Sequence, residues 1–415
     1  MIGVALLLTL AQVASAQPTA PVREPGSNLT VYLVTMGPGD QVWERFGHNA
    51  IWIHDEVNGT DIAYHWGLFD IADKEFIPHF IQGRMQYSMG AFDMEQTIEG
   101  YRQANRTVWA QELNLAPAER AKLAEFVAWN ILPENRLYSY DYFRDNCSTR
   151  VRDALDSSLA GLIRNATNNV QSGTTYRYHT SRLTQDDWPI FTGTMTALGQ
   201  PTDRPIDVWE EMFLPVRMMD RLRAINVQTP SGVQPLVRNE RVLFQATRTP
   251  EEATVNRGMI GYLAIALGLL VLGAVLLIAF RNGGGTAALS LATLWSVVAG
   301  IAGVLVTFLW GFTDHAATYR NENLLQLNPI SLLLAVFLIR LMWKRRRSSG
   351  DRDSGRHAAL RVAQVVAGVS LIGFVLQVLP GIDQVNGDVI ALAMPLHLGV
   401  LLLLFVLPNQ TRTNA

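Results

Sequence analysis

The sequence predicts an α+β domain, built from a small antiparallel sheet and helices, followed by an all-α membrane domain of five helices. Between residues 17 and 258 no window is long and apolar enough to span a bilayer, and the apolar periodicity is that of a mixed globular unit. Beyond residue 258 long apolar runs dominate. They account for a composition in which 49% of the 415 residues are hydrophobic and only 17% are charged.

The charge balance and the cysteine count exclude several classes of protein. The chain has 34 Lys and Arg against 36 Asp and Glu, a net charge of −2, so it lacks the positive excess of a nucleic-acid-binding protein. Its one cysteine, Cys147, excludes an intramolecular disulfide and a metal site with several cysteine ligands. The thiol is therefore either an inert side chain that packs as a small apolar group or a reactive group.

The first sixteen residues are typical of a signal peptide. A short apolar run over residues 2–10 precedes Ala14-Ser15-Ala16, the small-x-small pattern that a signal peptidase cleaves. The alternative is an uncleaved anchor, because no Lys or Arg lies near Met1. We expect a signal peptide at 1–16 and an exported, non-cytosolic domain at 17–228.

Three β-rich stretches predict the sheet of this domain. They cover residues 27–35, 49–53 and 61–66, and the turn-forming pair Asn58-Gly59 separates the last two. The spacing predicts a small antiparallel sheet.

Three helical segments are predicted after the sheet. Pro117 starts an apolar pattern of helical spacing that Pro133 ends. Cys147 falls in the first turn of a helix that continues to Leu155. The amphipathic segment 206–222 either packs in the core or lies on the bilayer surface.

Five apolar runs predict membrane spans, at 259–280, 287–312, 330–343, 362–379 and 389–407. We expect a connector at 229–257, the five-span domain at 258–408 and a cytoplasmic tail at 409–415. The segment between the third and fourth spans is rich in Lys and Arg, which predicts a cytoplasmic loop and places the α+β domain on the opposite side. The signal peptide predicts the same orientation.

Cys147 is the candidate nucleophile. At a helix N-terminus a thiol faces unpaired backbone N–H groups and the positive end of the helix dipole, so we expect a lowered pKa. The same N–H groups are suited to hold an oxyanion. The alternative is an inert, buried cysteine.

A nucleophilic cysteine needs a base, and His48 is the best candidate among five histidines of the domain. It follows Gly47 and begins a predicted strand, while His65 falls on the partner strand and could orient the first ring. The histidines lack the spacing of a zinc-protease motif, so no metal is predicted.

The loop after the second predicted span is dense in polar residues and returns to the side of the α+β domain. Asp314, His315, Asn321 and Asn323 are candidates to bind a lipid head group or to position the domain over the membrane. The alternative is an ordinary solvated connector. His397, in the last span, is interpreted as a satisfied intramembrane polar group.

The motifs at 46–50 (FGHNA), 64–70 (YHWGLFD) and 145–150 (DNCSTR) resemble the periplasmic domain of the Lnb family of bacterial lipoprotein N-acyltransferases. The resemblance extends to 209–215 (WEEMFLP) and to the polar loop at 314–329. The order of histidine, polar residue and cysteine also resembles permuted papain-like proteins, among them lecithin:retinol acyltransferase and relatives of NlpC-type peptidases.

The resemblance implies that His48 is the base and Cys147 the nucleophile, with His65 as the orienting residue. It implies acyl transfer from a phospholipid donor, through a thioester, to a diacylated lipoprotein acceptor at the inner membrane, with no cofactor. Two alternatives stay open. One is a thiol hydrolase of lipid esters or of peptidoglycan that uses the same residues, and the other is a non-enzymatic envelope assembly protein with a structural Cys147.

Overall fold

The fold was examined in a computed structural model, which describes residues 23–248, 254–255, 258–279, 284–346 and 352–407. An α+β domain with an antiparallel sheet precedes five long apolar helices, as the sequence predicts. The predicted signal peptide at 1–16 and the tail at 409–415 lie outside the described residues.

The main sheet of the α+β domain is larger than expected. It has seven antiparallel strands in the order β11-β5-β1-β2-β3-β4-β6, and two further pairs, β7 with β8 and β9 with β10, lie outside it. The strands are β1 Leu29–Met36, β2 His48–Asp55, β3 Thr60–Leu68, β4 Gln86–Asp93, β5 Val108–Leu113, β6 Leu137–Ser139, β7 Gln171–Thr175, β8 Pro205–Asp207, β9 Asn226–Thr229, β10 Gly232–Pro235 and β11 Val237–Phe244.

The three predicted strands form the centre of this sheet. β1 and β3 pair with opposite edges of β2, and the β2–β3 hairpin turns at Gly59, whose φ of 64° suits glycine. Alternate residues of β1 face opposite sides, and Leu33 and Val34 are both fully buried. The sheet therefore has a core on each face.

The segment predicted as a connector, 229–257, differs from the expectation. Its first part contains β10 and β11, and β11 is the edge strand of the main sheet, paired with β5. The strand is rich in charged, exposed residues, because edge strands face solvent. Arg241 lies over the rings of Tyr32 and Trp52, at 5.5 and 5.4 Å from their centroids.

In the part of the α+β domain that the structure describes, nine α-helices cover the sheet or follow it in the chain. Residues of α3 and α4 pack on the face that Leu33 and Ile51 share, and α2 packs on the face of Val34 and Trp52. The helices are α1 Phe76–Gln82, α2 Met94–Gln103, α3 Pro117–Asn130, α4 Cys147–Ser158, α5 Leu162–Thr167, α6 Tyr176–Thr184, α7 Trp188–Ala197, α8 Val208–Glu211 and α9 Pro215–Leu222.

The amphipathic segment 206–222 packs in the core and not on a bilayer surface. It is divided into α8 and α9, and Pro215 begins α9 at a position where its missing N–H has no helical partner to lose. Trp209, Phe213 and Leu222 are buried. The segment does not form a single continuous helix, because the chain bends between residues 211 and 215.

Within the described residues, five helices are long and apolar enough to cross a membrane. They are α10 Met259–Ala279, α11 Gly284–Phe312, α12 Ile330–Arg346, α13 Arg352–Leu376 and α14 Gly387–Val406. The five predicted spans are thus confirmed as helices, and the third extends beyond its predicted end into the basic segment.

The loop between α11 and α12 attaches the membrane helices to the α+β domain. Nδ2 of Asn321 donates to the carbonyl oxygens of Thr196 and Ala197, both at 2.9 Å. Nδ2 of Asn323 donates to those of Met195 and Thr196, at 3.2 and 2.9 Å. These amides satisfy carbonyl groups at the end of α7 that have no partner within the helix.

Candidate active site

The three predicted catalytic residues begin or occupy neighbouring elements. His48 is the first residue of β2, His65 lies in β3 and Cys147 is the first residue of α4. His65 pairs directly with Ala50, so the alternation of side chains places it on the same face of the sheet as His48. Gly47 precedes His48, and its φ of 82° is part of the turn that leads the chain into β2.

The two histidines contact each other. Nε2 of His48 lies 3.0 Å from Nδ1 of His65, and the rings are stacked with centroids 5.2 Å apart. Burial holds the pKa of His48 well below its usual range, and the positive charges of His65 and Arg106 act in the same direction. Burial lowers the pKa of His65 to about 4. Both rings are therefore neutral at pH 7.

A polar cap fixes the start of α4. Oδ1 of Asn146 accepts from the N–H of Thr149 at 2.9 Å, as an N-cap residue does. Its Nδ2 donates to the carbonyl oxygens of Tyr142 and Phe213, each at 3.0 Å. Asn146 therefore orients the first turn, in which Cys147 lies, as the sequence predicts.

Ser148 attaches the same turn to β2. Its hydroxyl lies 2.8 Å from Oδ1 of Asn49 and 2.7 Å from the carbonyl oxygen of Met212, and all of these groups are buried. Because Asn49 follows His48 in β2, this contact brings the start of α4 close to the part of β2 that carries His48.

The backbone N–H groups of Asn49, Ser148 and Cys147 itself favour the thiolate of Cys147 and act to lower its pKa. The pairing of β2 with β3 ends at Ala50, one residue after Asn49. Burial raises the pKa of the Cys147 thiol to about 11 and outweighs these N–H groups and the charge of Arg106, all of which lower it. The expected low pKa is therefore wrong, because desolvation is larger than the effect of the helix terminus.

Gly67 allows β3 to approach the nucleophile. Its φ is 87°, and a Cβ at this position would lie 3.2 Å from Cβ of Cys147. The pairing of β3 with β4 is irregular between His65 and Leu68, which bends the strand here.

Three tyrosines surround the thiol, and the sequence analysis missed them. The hydroxyl of Tyr138 is buried, finds no hydrogen-bond partner in the described part of the chain and would lie 3.8 Å from a Cβ at Gly67. Burial, with the charge of the Cys147 thiolate as a second cause, raises the pKa of Tyr138 and of Tyr140. Tyr101 stacks on His48 with centroids 6.4 Å apart. The phenols keep the surroundings of the sulfur amphipathic and poorly hydrated.

Arg106 is a second residue that sequence reasoning missed. It is buried, and its Nε donates to the carbonyl oxygen of Gly37 at 2.9 Å, while Nη1 donates to Glu44 at 3.2 Å. The guanidinium lies 4.8 Å from the ring centroid of Tyr101. A buried arginine is rare, so its burial would have drawn attention to Arg106. The neighbouring residues in the sequence do not, however, predict that this position is buried.

Two of the predicted substrate-binding residues lie at the junction of the domains. Nε of Arg84 is 2.7 Å from Oδ2 of Asp314, and Nε2 of His315 donates to the carbonyl oxygen of Phe80 at 2.8 Å. The ring of His315 stacks on Tyr142 with centroids 6.0 Å apart. A role of Asp314 and His315 toward substrate stays a prediction.

The other two predicted substrate-binding residues have a different position. Asn321 and Asn323 are buried, with 1% and 0% of their surface exposed, and their amides bind α7. Their amide donors are used in joining the α11–α12 loop to α7, and a role of Asn321 and Asn323 toward substrate stays a prediction. In the described residues no three His, Cys, Asp or Glu side chains converge as metal ligands would.

Fold and site together define a membrane protein of the cell envelope whose α+β domain carries a cysteine beside paired histidines. A family model described as the Lnb N-terminal periplasmic domain matches residues 23–182, and one described as the Lnb transmembrane domain matches residues 259–349. Together the matches cover more than half of the chain, and the chain belongs to the Lnb family. No curated protein and no solved structure matches it significantly.

Substitution of Gly67 by alanine tests the close approach of β3 to the thiol. We expect Gly67→Ala to slow alkylation of Cys147 by iodoacetamide, because the new methyl group displaces the helix start. Gly59→Ala is the matched control, since Gly59 also has a positive φ but has no atom within 4 Å of the added Cβ. Both variants carry a backbone strain of about 1–2 kcal/mol. Equal alkylation rates in the two variants would contradict the described contact.

The pH dependence of alkylation tests the electrostatics of the site. Iodoacetamide reacts with the thiolate, so with a thiol pKa of about 11 the rate should rise about tenfold per pH unit from neutral pH toward that value. A plateau between pH 5 and 8 would instead reveal a thiolate–imidazolium pair. Cys147→Ser gives the background, because the chain has no other cysteine.

Proposed function

We propose that the protein is a lipoprotein N-acyltransferase of the inner membrane. It transfers an acyl chain from a phospholipid, through a thioester on Cys147, to the α-amine of a diacylglyceryl-cysteine lipoprotein in the periplasm. The observation that carries the proposal is the position of the partly exposed Cys147 at the start of α4, where the next residue, Ser148, is hydrogen-bonded to Asn49 beside His48, in a chain whose described residues include five helices apolar enough to span a membrane.

The histidine pair supports the role of His48 as base. One of the two facing nitrogens carries the proton. If Nε2 of His48 donates to Nδ1 of His65, then Nδ1 of His48 keeps its lone pair for the thiol proton. His65 acts as the orienting group, because it is neutral and accepts this hydrogen bond.

The first half-reaction forms the thioester. Nδ1 of His48 takes the thiol proton as the sulfur attacks the ester carbonyl, and the carbonyl electrons move to an oxyanion. Backbone N–H groups at the start of α4 and at Asn49 are suited to stabilise it. The intermediate expels the glycerol oxygen, which receives the proton from His48 and leaves as part of a lysophospholipid.

The second half-reaction transfers the acyl group to the acceptor and regenerates the free thiol. The neutral α-amine of the acceptor attacks the thioester carbonyl and forms the amide bond, while the carbon–sulfur bond breaks. His48 accepts a proton from the amine and returns it to the sulfur. The products are an N-acylated lipoprotein and free thiol, so no net proton is gained or lost by the site.

The raised pKa of the thiol and the lowered pKa of His48 favour proton transfer during attack over a resting ion pair. Arg106 supplies a fixed positive charge that favours the developing thiolate. The membrane domain contributes by confinement, because donor and acceptor are both lipids and a bound orientation replaces a dilute encounter.

The thioester is the test of this proposal. Protein in nanodiscs, given a phospholipid with a labelled acyl chain and no acceptor, should acquire a hydroxylamine-sensitive label on the peptide that contains Cys147. Cys147→Ser should abolish the label, and His48→Ala should slow its formation about 10²–10⁴-fold.

Lys122→Ala, on the exposed side of α3, is the control and should label like the parent protein. Transfer of acyl groups to a lipopeptide without any adduct on Cys147 would contradict the thioester mechanism.

A further inference from the structure

A cavity of about 660 Å³ lies where the α+β domain meets the membrane helices. Its size falls within the range of about 300–1,000 Å³ that is usual for binding sites of small ligands. It is lined by Pro78, Ile81, Gln82, Arg84, Phe308 and Phe312. One wall therefore comes from α1 and its C-terminal side, and the other from the last turns of α11.

The two walls of the cavity expose apolar side chains, whose contact with water is unfavourable. Of the lining residues, Ile81 of α1 is 48% exposed and Phe312, at the end of α11, is 76% exposed, and Phe80, the neighbour of Ile81 in the chain, is 40% exposed. Because α11 is long and apolar enough to span a membrane, this end of it lies at the bilayer surface. The cavity is thus continuous with the lipid phase, and its apolar wall is suited to hydrocarbon.

Backbone contacts join the α+β domain to the α11–α12 loop beside the cavity, and a basic group lies at the rim of the cavity. The N–H of Asp314 donates to the carbonyl oxygen of Gln82 at 2.7 Å, and a Cβ at Gly83 would lie 2.6 Å from the backbone nitrogen of His315. Arg84 pairs with Asp314, and both side chains are more than half exposed. The guanidinium can therefore exchange this carboxylate for the phosphate of a lipid, a group that arginine is able to bind with two parallel hydrogen bonds.

A line of rings joins the cavity to the nucleophile. His315 lies 6.1 Å from Phe80 and 6.0 Å from Tyr142, and Tyr142 lies 6.0 Å from Tyr140, all between ring centroids. Tyr140 is one of the tyrosines around Cys147. An aliphatic chain or a glycerol ester that follows these rings moves from the membrane surface to the thiol along apolar faces.

From this arrangement we propose that the cavity binds one acyl chain of a bilayer phospholipid, with the phosphate at Arg84 and the ester directed along the rings toward Cys147. The inference rests on the proposed function in treating that lipid as the acyl donor. Binding itself does not depend on the chemistry at Cys147, so the two can be tested separately.

Photo-crosslinking tests binding. In a Cys147→Ser background, p-benzoylphenylalanine replaces Ile81, and the protein is irradiated in nanodiscs of phosphatidylethanolamine and phosphatidylglycerol that contain an alkyne-tagged acyl chain. Ile77 is the matched control, because it is 51% exposed on the same helix but does not line the cavity. We expect several-fold more lipid label at position 81. Equal labelling at both positions, or labelling only by a tagged diacylated lipopeptide, would overturn the proposal.

Filling the cavity tests its use. Each methylene buried contributes about 0.8 kcal/mol, so Ile81→Trp should reduce thioester formation from long-chain phospholipids roughly tenfold or more by displacing two or three methylenes. Dihexanoyl donors should react as with the parent protein, and Ile77→Trp should leave both donors unaffected. If no donor acylates Cys147 in the parent protein, the proposed function fails while the crosslink still reports binding. Normal acylation by long chains in Ile81→Trp would refute the cavity as their site.

Discussion

The contact of Ser148 with Asn49 is the constraint on which the site depends. It joins two segments 99 residues apart in the chain, the start of α4 and the start of β2, in a fully buried position. Oδ1 of Asn49 can only accept from the Ser148 hydroxyl, because Nδ2 of Asn49 donates to Thr35 and to the carbonyl oxygen of Val34. Loss of the Ser148 hydroxyl would leave the buried Oδ1 of Asn49 without this hydrogen bond, at a cost of about 1–3 kcal/mol. The polar contact between Ser148 and Asn49 thus joins the chain neighbours of Cys147 and His48, the proposed nucleophile and base, in the core.

Burial also decides the charge state of the site. Removal from water disfavours thiolate and imidazolium alike, so the thiol pKa rises to about 11 although three N–H groups and Arg106 act against the rise. A neutral thiol is less reactive toward adventitious electrophiles than a thiolate. In the proposed mechanism the sulfur acquires charge only as it attacks an ester carbonyl. The same dry surroundings, walled by tyrosines, suit a reaction in which water competes with an amine for the thioester.

Much of the fold was predictable, and its limits have physical causes. β1, β2, β3 and the five spans show strong periodicity or long apolar runs, and the start of α4 at Cys147 follows from the polar cap before it. The sequence did not predict β11, because an exposed edge strand lacks the alternation of apolar and polar residues. His48 and His65 were found from their places in paired strands, whereas Arg106 and the tyrosines come from segments that only the tertiary fold brings together. Asn321 and Asn323 look like ligand-binding amides in sequence, and only the docked α7 shows what they bind.

The central claim is that acyl groups pass through Cys147 to an amine, and a single-turnover chase tests it most directly. The labelled acyl-enzyme is freed of excess phospholipid and mixed with a diacylated lipopeptide, and the label is followed from Cys147 to product. The account predicts that the label moves to the α-amine of the peptide, and that its loss from Cys147 is much faster with the peptide than in buffer alone. Release of free fatty acid at the same rate with and without the peptide would contradict the account and favour a thiol hydrolase.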